Sequence, residues 1–439
     1  MGERTMNFIL ENTEADKPPL DQAADDRPPS QSRTRVTGPL LRDATLFVEN
    51  RAATEYRELF HLGVSPREWS DWHWQLKHRL TSAAQFAATL GLTADETAAF
   101  AGAAGLRLPV GVTPYYASLL YAERKAGGRA LARTMLPSAG EFPCASGSCH
   151  ESADPLGEEH DSPVPGIVHR YPDRVLFLVT DFCAAYCRYC TRSRRVGRPE
   201  SKNRMIRVWD QAVAYIAAHP EVRDVLISGG DPLMLSDAAL EYILAQVTAI
   251  PHVEIVRIGT KAPMVLPQRV TPKLARMLRK YHPLLMSVHC THPAELTPES
   301  AQAFGRLADA GIPLGSQTVL LTGVNDDAKT LGDLFRGLLK VRVRPYYLYL
   351  CDQASGTMHF RTPLTKGLEI IRALRGYTSG YALPHFVVDL PGGGGKTPLC
   401  PEYVSGTDGE NIIFKNWEGR EYRLHDPATA TVIRQGGIL

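Results

Sequence analysis

The chain of 439 residues is long enough to bury a large core, so we expect a main domain with an appendage. Its 49 basic and 47 acidic residues nearly balance, which argues against a nucleic-acid partner because nucleic-acid-binding surfaces carry a basic excess. No apolar run approaches about 18 residues and none follows a basic start, so we expect no membrane segment, no secretory signal and a cytoplasmic location.

Two regions precede the first strand-like run. Residues 1–40 are rich in Pro, Asp, Glu, Ser and Thr and lack apolar periodicity, which predicts a disordered tail. From about residue 45 the apolar residues recur with helical spacing, which predicts a helical region over residues 41–150. Residues 137–165 are loop-like and contain Cys144 and Cys149, a pair that is only weak evidence for a metal site.

The middle of the chain alternates between strand-like and helix-like segments. Apolar runs begin near residues 174, 224, 254, 284, 313 and 344. After the first, successive starts are about 30 residues apart, the length of one βαβ step. Helical segments fill the gaps at residues 209–218, 238–248, 272–281, 298–310 and 328–339. Six strand–helix units with parallel crossovers predict an α/β barrel or partial barrel over residues 151–365.

In such a barrel the reactive groups lie at the carboxyl ends of the strands. Chemically distinctive residues do occur at or near the ends of all six predicted strands. In chain order these are Cys183, then Gly229, Gly230 and Asp231, then Lys261, His289, Gln317 and Asp352. This recurrence predicts one shared site at that end of the barrel.

Three of the eight cysteines are grouped after the first strand, as Cys183, Cys187 and Cys190. Thiolates are soft ligands that bind iron–sulfur clusters or zinc, and such sites usually take four protein ligands. Because only three are grouped, the spacing predicts a metal centre with one open position, where a substrate-like molecule can bind. The alternatives are a zinc knuckle that recruits His169 or a distant cysteine, and simple buried thiols.

A second signal lies near the C-terminus, where four glycines at residues 392–395 precede Lys396. Glycines let the backbone approach a ligand closely. The lysine suits phosphate contact of the P-loop kind, a Schiff base with pyridoxal phosphate (PLP), or a plain flexible loop. Pro398 argues against the helix that a P-loop requires, but these residues alone leave the alternatives open.

The cysteine triad followed by Asp-x-Pro-Gly-Gly-Gly-Gly-Lys resembles the lysine 2,3-aminomutase family of radical S-adenosylmethionine (SAM) enzymes. The resemblance covers about residues 65–425, with shared segments at residues 71–76, 161–166, 169–174, 228–233, 359–363 and 374–380. It implies a radical SAM partial (βα)6 TIM-like barrel with an N-terminal helical region, and a C-terminal extension over residues 366–439 that carries the PLP lysine. It also implies an isomerase that moves an α-amino group from C2 to C3 of an amino acid.

The resemblance implies three cofactors, a [4Fe–4S] cluster, SAM and PLP, and assigns residues to each. The cluster ligands are Cys183, Cys187 and Cys190. The SAM-binding residues are Gly229, Gly230, Asp231, His289 and Gln317. The PLP-binding residues are Lys396, which holds PLP covalently as the catalytic lysine, and Arg170, Tyr171 and Arg174. The residue that binds the substrate carboxylate is Arg192.

Asp352 and Asp389 match the positions that face the far end of the substrate in this family. Two buried carboxylates repel each other unless a cation lies between them, so they predict a cationic amino acid and disfavour glutamate. L-lysine, which would give β-lysine, is the first expectation. L-arginine, which would give β-arginine, is the alternative, because residues 350–358 differ from the usual lysine-enzyme sequence.

The expected partners are a small amino acid, a flavodoxin- or ferredoxin-like reductant, and further copies of the chain in a homo-oligomer. Zinc is not expected, since no cysteine follows Cys400 where clostridial-type enzymes carry a zinc-binding cluster. The non-enzymatic alternative is an iron–sulfur or zinc protein with a structural or electron-transfer role, which would give Lys396 no function.

Overall fold

A computed structural model describes residues 46–102, 108–142, 150–197 and 202–434. The predicted tail at residues 1–40 and both Cys144 and Cys149 lie outside the described residues. All described residues belong to one compact unit. The domain boundaries at residues 150 and 365 stay predictions.

Short helices occupy the N-terminal region that the apolar spacing predicts to be helical. Their bounds are α1 (Arg51–Phe60), α2 (Pro66–Trp69), α3 (Trp72–Lys77), α4 (Ala83–Leu90), α5 (Ala94–Gly102), α6 (Pro114–Lys125) and α7 (Ala130–Met135). Helix α6 begins where the Thr113 side chain accepts the N–H of Tyr116 and a proline takes the first helical position. Its Tyr115 hydroxyl lies 2.7 Å from Oγ1 of Thr297, which ties this region to the barrel.

The central sheet has nine strands in chain order. They are β1 (Ile167–Tyr171), β2 (Arg174–Thr180), β3 (Asp224–Gly229), β4 (Ile255–Thr260), β5 (Leu284–His289), β6 (Leu314–Leu320), β7 (Arg344–Leu350), β8 (His385–Leu390) and β9 (Gly395–Leu399). Strands β2 to β8 pair in parallel, whereas β1 and β9 pair antiparallel at the two edges. The result is a nearly closed, barrel-like sheet.

Helices connect the parallel strands. They are α8 (Lys202–Ala218), α9 (Asp237–Thr248), the short α10 (Ala262–Val265), α11 (Pro272–Leu278), α12 (Pro298–Asp309), α13 (Ala328–Lys340) and α14 (Leu364–Leu374). Helix α13 shows why they pack on the sheet, because its fully buried side chains recur at helical spacing. Those side chains are Leu331, Leu334, Phe335 and Leu338.

The structure confirms the predicted partial barrel. Strands β2 to β7 begin within one residue of the six predicted starts. The sheet continues beyond them, because β8 adds a seventh parallel strand after α14, and β9 folds back beside β8.

The glycine-rich segment forms the tight connection between β8 and β9. Gly392, Gly393 and Gly395 have φ angles of 64°, 100° and 78°, in the left-handed region that side chains other than glycine rarely adopt. A small antiparallel sheet and a last helix follow, with bounds β10 (Val404–Asp408), β11 (Asn411–Lys415), β12 (Glu421–His425) and α15 (Pro427–Arg434). Among the described residues, we find no helix with the length and apolar character of a membrane span.

Candidate active site

A cavity of about 470 Å³ lies inside the barrel-like sheet and is lined by residues from β1 to β9. The structure brings nine of the predicted site residues to its wall. They are Arg170, Tyr171, Arg174, Arg192, His289, Gln317, Asp352, Asp389 and Lys396. Residues far apart in the sequence therefore share one cavity. Of the residues in the strand-end pattern, only His289, Gln317 and Asp352 line it, whereas the cysteines, the Gly229–Gly230 turn, Asp231 and Lys261 lie outside its wall.

The cysteine loop follows β2 and is fixed from the N-terminal side. Nη1 of Arg79 donates a hydrogen bond of 2.9 Å to the carbonyl of Cys183. The buried Arg188, which lies between the second and third cysteines, pairs with the buried Glu141 and donates 2.9 Å to the carbonyl of Pro109. The helical region thus holds the loop in place.

Cys183, Cys187 and Cys190 are free thiols within this loop. Burial raises the pKa of all three, to about 11 for Cys190, and neighbouring thiols add to the rise for Cys183 and Cys190. Among the described residues, no three His, Cys, Asp or Glu side chains surround the position of a single metal ion. A four-iron cluster binds each thiolate through a different iron, so three soft donors on one loop fit such a cluster.

The Gly229–Gly230 turn packs directly against the strand that leads into the cysteine loop. Gly229 has φ 124°, and a Cβ there would lie 2.3 Å from the carbonyl oxygen of Thr180. A Cβ on Gly230 would lie 2.6 Å from the carbonyl oxygen of Phe182. Only glycines permit this approach, which brings the turn beside the cysteines.

Asp231 ends this turn and is buried. Its carboxylate accepts hydrogen bonds from the hydroxyl of Thr260 at 2.7 Å and from the backbone N–H groups of Lys261 at 2.9 Å and Leu233 at 3.0 Å. Burial raises the pKa of Asp231, while these donors oppose the rise. Lys261 itself pairs with the buried Glu295 at 2.7 Å and does not line the cavity.

His289 and Gln317 are paired neighbours on the parallel strands β5 and β6. Burial lowers the pKa of His289 to about 4, and the positive charges of Lys261 and Arg192 lower it further. His289 is therefore neutral at physiological pH and can donate or accept a hydrogen bond from the cavity wall.

Basic and aromatic side chains gather where β1 and β2 meet the glycine-rich segment. Arg170 pairs with Asp161 at 2.5 Å, and the guanidinium of Arg174 lies 3.9 Å from the ring centre of Tyr171. A Cβ on Gly393 would lie 2.5 Å from Nη1 of Arg170, so the glycine segment closes tightly over this arginine. Two guanidiniums and a phenol suit a phosphate, which fits the phosphate end of PLP.

Lys396 lies on β9 beside this basic group. Its backbone N–H donates 2.8 Å to the hydroxyl of Tyr171. Its Nζ lies 3.0 Å from Oδ1 of Asp389 and 5.4 Å from the ring centre of Tyr349. The amine therefore reaches the cavity next to the place that suits a phosphate, as a lysine that holds PLP must.

The two predicted specificity acids share the cavity. Asp352 accepts a hydrogen bond of 2.6 Å from the hydroxyl of Thr191, which follows the last cysteine. Burial raises the pKa of Asp352 to about 6, with a further rise from Asp389 that Lys396 and Arg192 oppose. The negative charge of Asp389 thus acts on Asp352 across the cavity that both acids line.

Arg192 has a partner that no sequence pattern indicates. Its Nε and Nη2 lie 2.8 and 2.7 Å from Oε1 of Glu158, and its Nη1 lies 3.4 Å from Oγ of Ser228. Glu158 and Ser228 also line the cavity. In the sequence Glu158 looks like its neighbour Glu159, so only the fold distinguishes them.

This barrel with its cysteine loop defines a radical SAM enzyme, and residues 177–335 match the family model of the radical SAM superfamily. A second model, of lysine-2,3-aminomutase, matches residues 371–434. The chain belongs to the lysine 2,3-aminomutase family, as its curated relatives show. Membership confirms the predicted amino-group-moving isomerase and its cofactors, a [4Fe–4S] cluster, SAM and PLP.

Three relatives illustrate the similarity. The L-lysine 2,3-aminomutase of Clostridium subterminale is 49% identical over 85% of this chain and 88% of its own length. The L-lysine 2,3-aminomutase of Fusobacterium nucleatum is 48% identical over 83% of this chain and 84% of its own. The glutamate 2,3-aminomutase of Clostridioides difficile is 40% identical over 83% of this chain and 85% of its own.

Proposed function

We propose that the protein converts L-lysine into β-lysine by moving the α-amino group from C2 to C3. The observation that carries this proposal is the pair of acids Asp352 and Asp389, which face a cavity where the ammonium of Lys396 already lies against Asp389. A primary ammonium thus fits this carboxylate. Five of the relatives named as L-lysine enzymes are 46–49% identical over 80–85% of this chain and support the same substrate, whereas the glutamate enzyme is 40% identical over 83% of it.

Ammonium also fits this end of the cavity better than guanidinium does. The ammonium is a compact charge with three donors, whereas guanidinium is a planar fork. Asp352 already accepts a hydrogen bond from Thr191 on one oxygen, which leaves its other oxygen for a compact donor and disfavours the two parallel bonds of a guanidinium. We therefore place L-lysine ahead of L-arginine.

The chain's residues divide the work between cofactors and substrate. Cys183, Cys187 and Cys190 hold the cluster, and Lys396 holds PLP covalently. The residues around PLP are Arg170, Tyr171 and Arg174. The residues around SAM are Gly229, Gly230, Asp231, His289 and Gln317. When bound, these cofactors supply the radical and the electron delocalisation that amino-group migration requires.

The substrate is held at both ends. Arg192 takes the α-carboxylate, because a guanidinium binds a carboxylate through two parallel hydrogen bonds. Asp352 and Asp389 take the distal ammonium, which neutralises two acids that otherwise repel each other. Fixing both ends orients C2 and C3 and, with the barrel wall, excludes water from the reacting atoms.

Three further features belong to this proposal. Reduction of the cluster requires a one-electron donor, which we assign to a flavodoxin- or ferredoxin-like protein. The chain works in the cytoplasm, where its thiols stay reduced. It also forms a homo-oligomer, as the family resemblance implies.

An amino-acid panel tests the substrate assignment. The reconstituted protein is incubated without oxygen with SAM, PLP, dithionite and one of L-lysine, L-arginine, L-glutamate or L-alanine, and the α and β isomers are separated by mass-resolved chromatography. We expect β-lysine as the main product. Faster formation of β-arginine would replace the assignment with its alternative, and no product from any amino acid would remove it.

A further inference from the structure

The segment over residues 154–161 contacts both halves of the proposed site. On one side, Glu158 binds Arg192 after the cysteine loop. On the other, the carbonyl of Pro155 accepts 3.0 Å from the N–H of Gly392 in the glycine-rich segment, and Asp161 pairs with Arg170. This segment therefore links Arg192, the proposed substrate-binding arginine, to the glycine-rich segment that precedes Lys396.

Within the segment, Glu158 is distinguished by burial. It is only 3% exposed, and its two carboxylate oxygens contact different arginines, Oε1 contacting Arg192 and Oε2 lying 3.3 Å from Nη2 of Arg194. The neighbouring Glu159 side chain is 71% exposed and contacts Arg194 alone. Burial by itself would raise the pKa of Glu158, but the charges of Arg192 and Arg194 hold it below its usual range.

The hydrogen bonds leave one edge of Arg192 available. A guanidinium has five N–H groups. The Nε–H and one N–H of Nη2, which form the side edge of the guanidinium, both lie against Oε1 of Glu158. Glu158 therefore occupies the side edge. Nη1 has one long contact of 3.4 Å with Ser228. The end edge, formed by Nη1 and Nη2, has no described hydrogen bond other than this long one, so it can offer two hydrogens to a bidentate carboxylate.

We propose that Glu158 is a positioning residue that holds Arg192 with this end edge toward the cavity, and so sets the enzyme's affinity for the substrate carboxylate. The inference rests on the proposed function, which assigns that carboxylate to Arg192. Without the charge of Glu158, Arg192 would lie beside Arg194 with no carboxylate between them. Arg194 would still be paired, because Asp154 lies 2.9 Å away.

The test compares a ligand that carries the carboxylate with one that lacks it. Glu158→Gln, Glu158→Asp and the control Glu159→Gln are reconstituted with all cofactors, and their iron and PLP contents are measured. KM and kcat are determined for L-lysine, together with the inhibition constant of 1,5-diaminopentane, which keeps both amines and lacks the carboxylate. Loss of one hydrogen bond to a charged group predicts that Glu158→Gln raises the KM for L-lysine by about tenfold to about a hundredfold.

We expect the inhibition constant of 1,5-diaminopentane to be unchanged in Glu158→Gln, and both constants to be unchanged in Glu159→Gln. Glu158→Asp keeps the charge and should recover part of the L-lysine affinity. Equal weakening of both ligands, or an unchanged KM, would overturn the positioning role. If Glu158→Gln does not fold, the KM for L-lysine and the inhibition constant of 1,5-diaminopentane are compared in Glu158→Asp. A raised KM with an unchanged inhibition constant supports the positioning role, and any other result overturns it. Failure of the proposed function would give a different result from failure of the positioning role, because the wild type and Glu159→Gln would then also turn over no L-lysine.

Discussion

Nζ of Lys396 lies 3.0 Å from Oδ1 of Asp389, and the two residues are direct partners across β8 and β9. The amine lies 3.0 and 3.1 Å from the two oxygens of Asp389, so the proposed PLP lysine contacts the carboxylate proposed for the distal end of the substrate. We expect a substrate ammonium to compete with the Lys396 amine for Asp389. Under these proposed assignments, we expect attachment of PLP to Lys396 to free Asp389 for the substrate.

The first prediction concerns the position of PLP. After PLP is added and the protein is reduced with borohydride, peptide mass spectrometry should find the pyridoxyl group on Lys396 and find none in Lys396→Ala. Lys396 is suited to this role because its side chain is 36% exposed and lines the cavity, whereas Lys261 is buried against Glu295. The exposed Lys415→Ala is the control and should keep the adduct. An adduct on Lys261 would contradict the assignment.

The second prediction concerns the cluster. Cys187→Ala should lose the iron and the cluster's visible absorbance, because two remaining thiolates on one loop leave two irons open. Cys400→Ala removes an exposed free thiol outside the loop and should keep both signals. Iron retained in Cys187→Ala, measured after anaerobic reconstitution, would show that the three-cysteine ligand set is wrong.

The third prediction concerns the two acids. Asp352→Asn and Asp389→Asn each remove one charge that faces the substrate ammonium. Truncating one partner of a buried charge pair costs about 2–5 kcal/mol, which corresponds to a loss of roughly thirtyfold to several-thousandfold in kcat/KM. Steady-state kinetics with L-lysine measure the loss, and unchanged iron and PLP contents serve as the control. An unchanged kcat/KM in both variants would mean that these acids do not contact the side chain.

The fourth prediction concerns pH and stability. The pKa of Asp352 is raised to about 6 in the folded chain, from an ordinary value near 3.8. A raised carboxyl pKa means that the folded state loses stability as pH rises through about 6, by at most about 3 kcal/mol for two pKa units. Asp352→Asn should therefore raise the melting temperature of the cofactor-free protein at pH 7.5 and leave it unchanged near pH 4.

The control for this measurement is Asp309→Asn, which changes an exposed carboxylate that pairs with Arg342 on the surface. It should leave the melting temperature unchanged at pH 7.5. The melting temperature of Asp352→Asn could instead equal the wild-type value at both pH 7.5 and pH 4. That result would show that the ionised Asp352 carboxylate does not destabilise the folded protein.

The barrel could be predicted because parallel strands are buried on both faces and appear in the sequence as apolar runs. The βαβ period then fixes their spacing, so β2 to β7 start where the pattern places them. The edge strands of the central sheet are harder to predict from the sequence. Strand β9 carries Gly395, Lys396 and Pro398 and has no apolar alternation, so its pairing with β8 comes from the glycine turn and not from a strand pattern.

The site could be predicted in part for a similar reason. The grouped cysteines and the glycine–lysine segment are local patterns that the sequence shows directly. Contacts between distant loops are not local, so Glu158 against Arg192 and Thr191 against Asp352 follow only from the fold. The sequence predicts Gly229 and Gly230 as site residues, but their close approach to Thr180 and Phe182 follows only from the fold.

In the proposed reaction, the α-amino group of L-lysine moves from C2 to C3 within one molecule. The most direct measurement uses an equal mixture of unlabelled L-lysine and L-lysine that carries ¹³C in its carbon chain and ¹⁵N in its α-amino group. Mass spectrometry of the product, with fragmentation to locate the nitrogen, should find ¹⁵N at C3 only in molecules that also carry ¹³C. β-Lysine with scrambled nitrogen, or ¹⁵N left at C2 in every molecule, would show that the amino group does not migrate within one molecule.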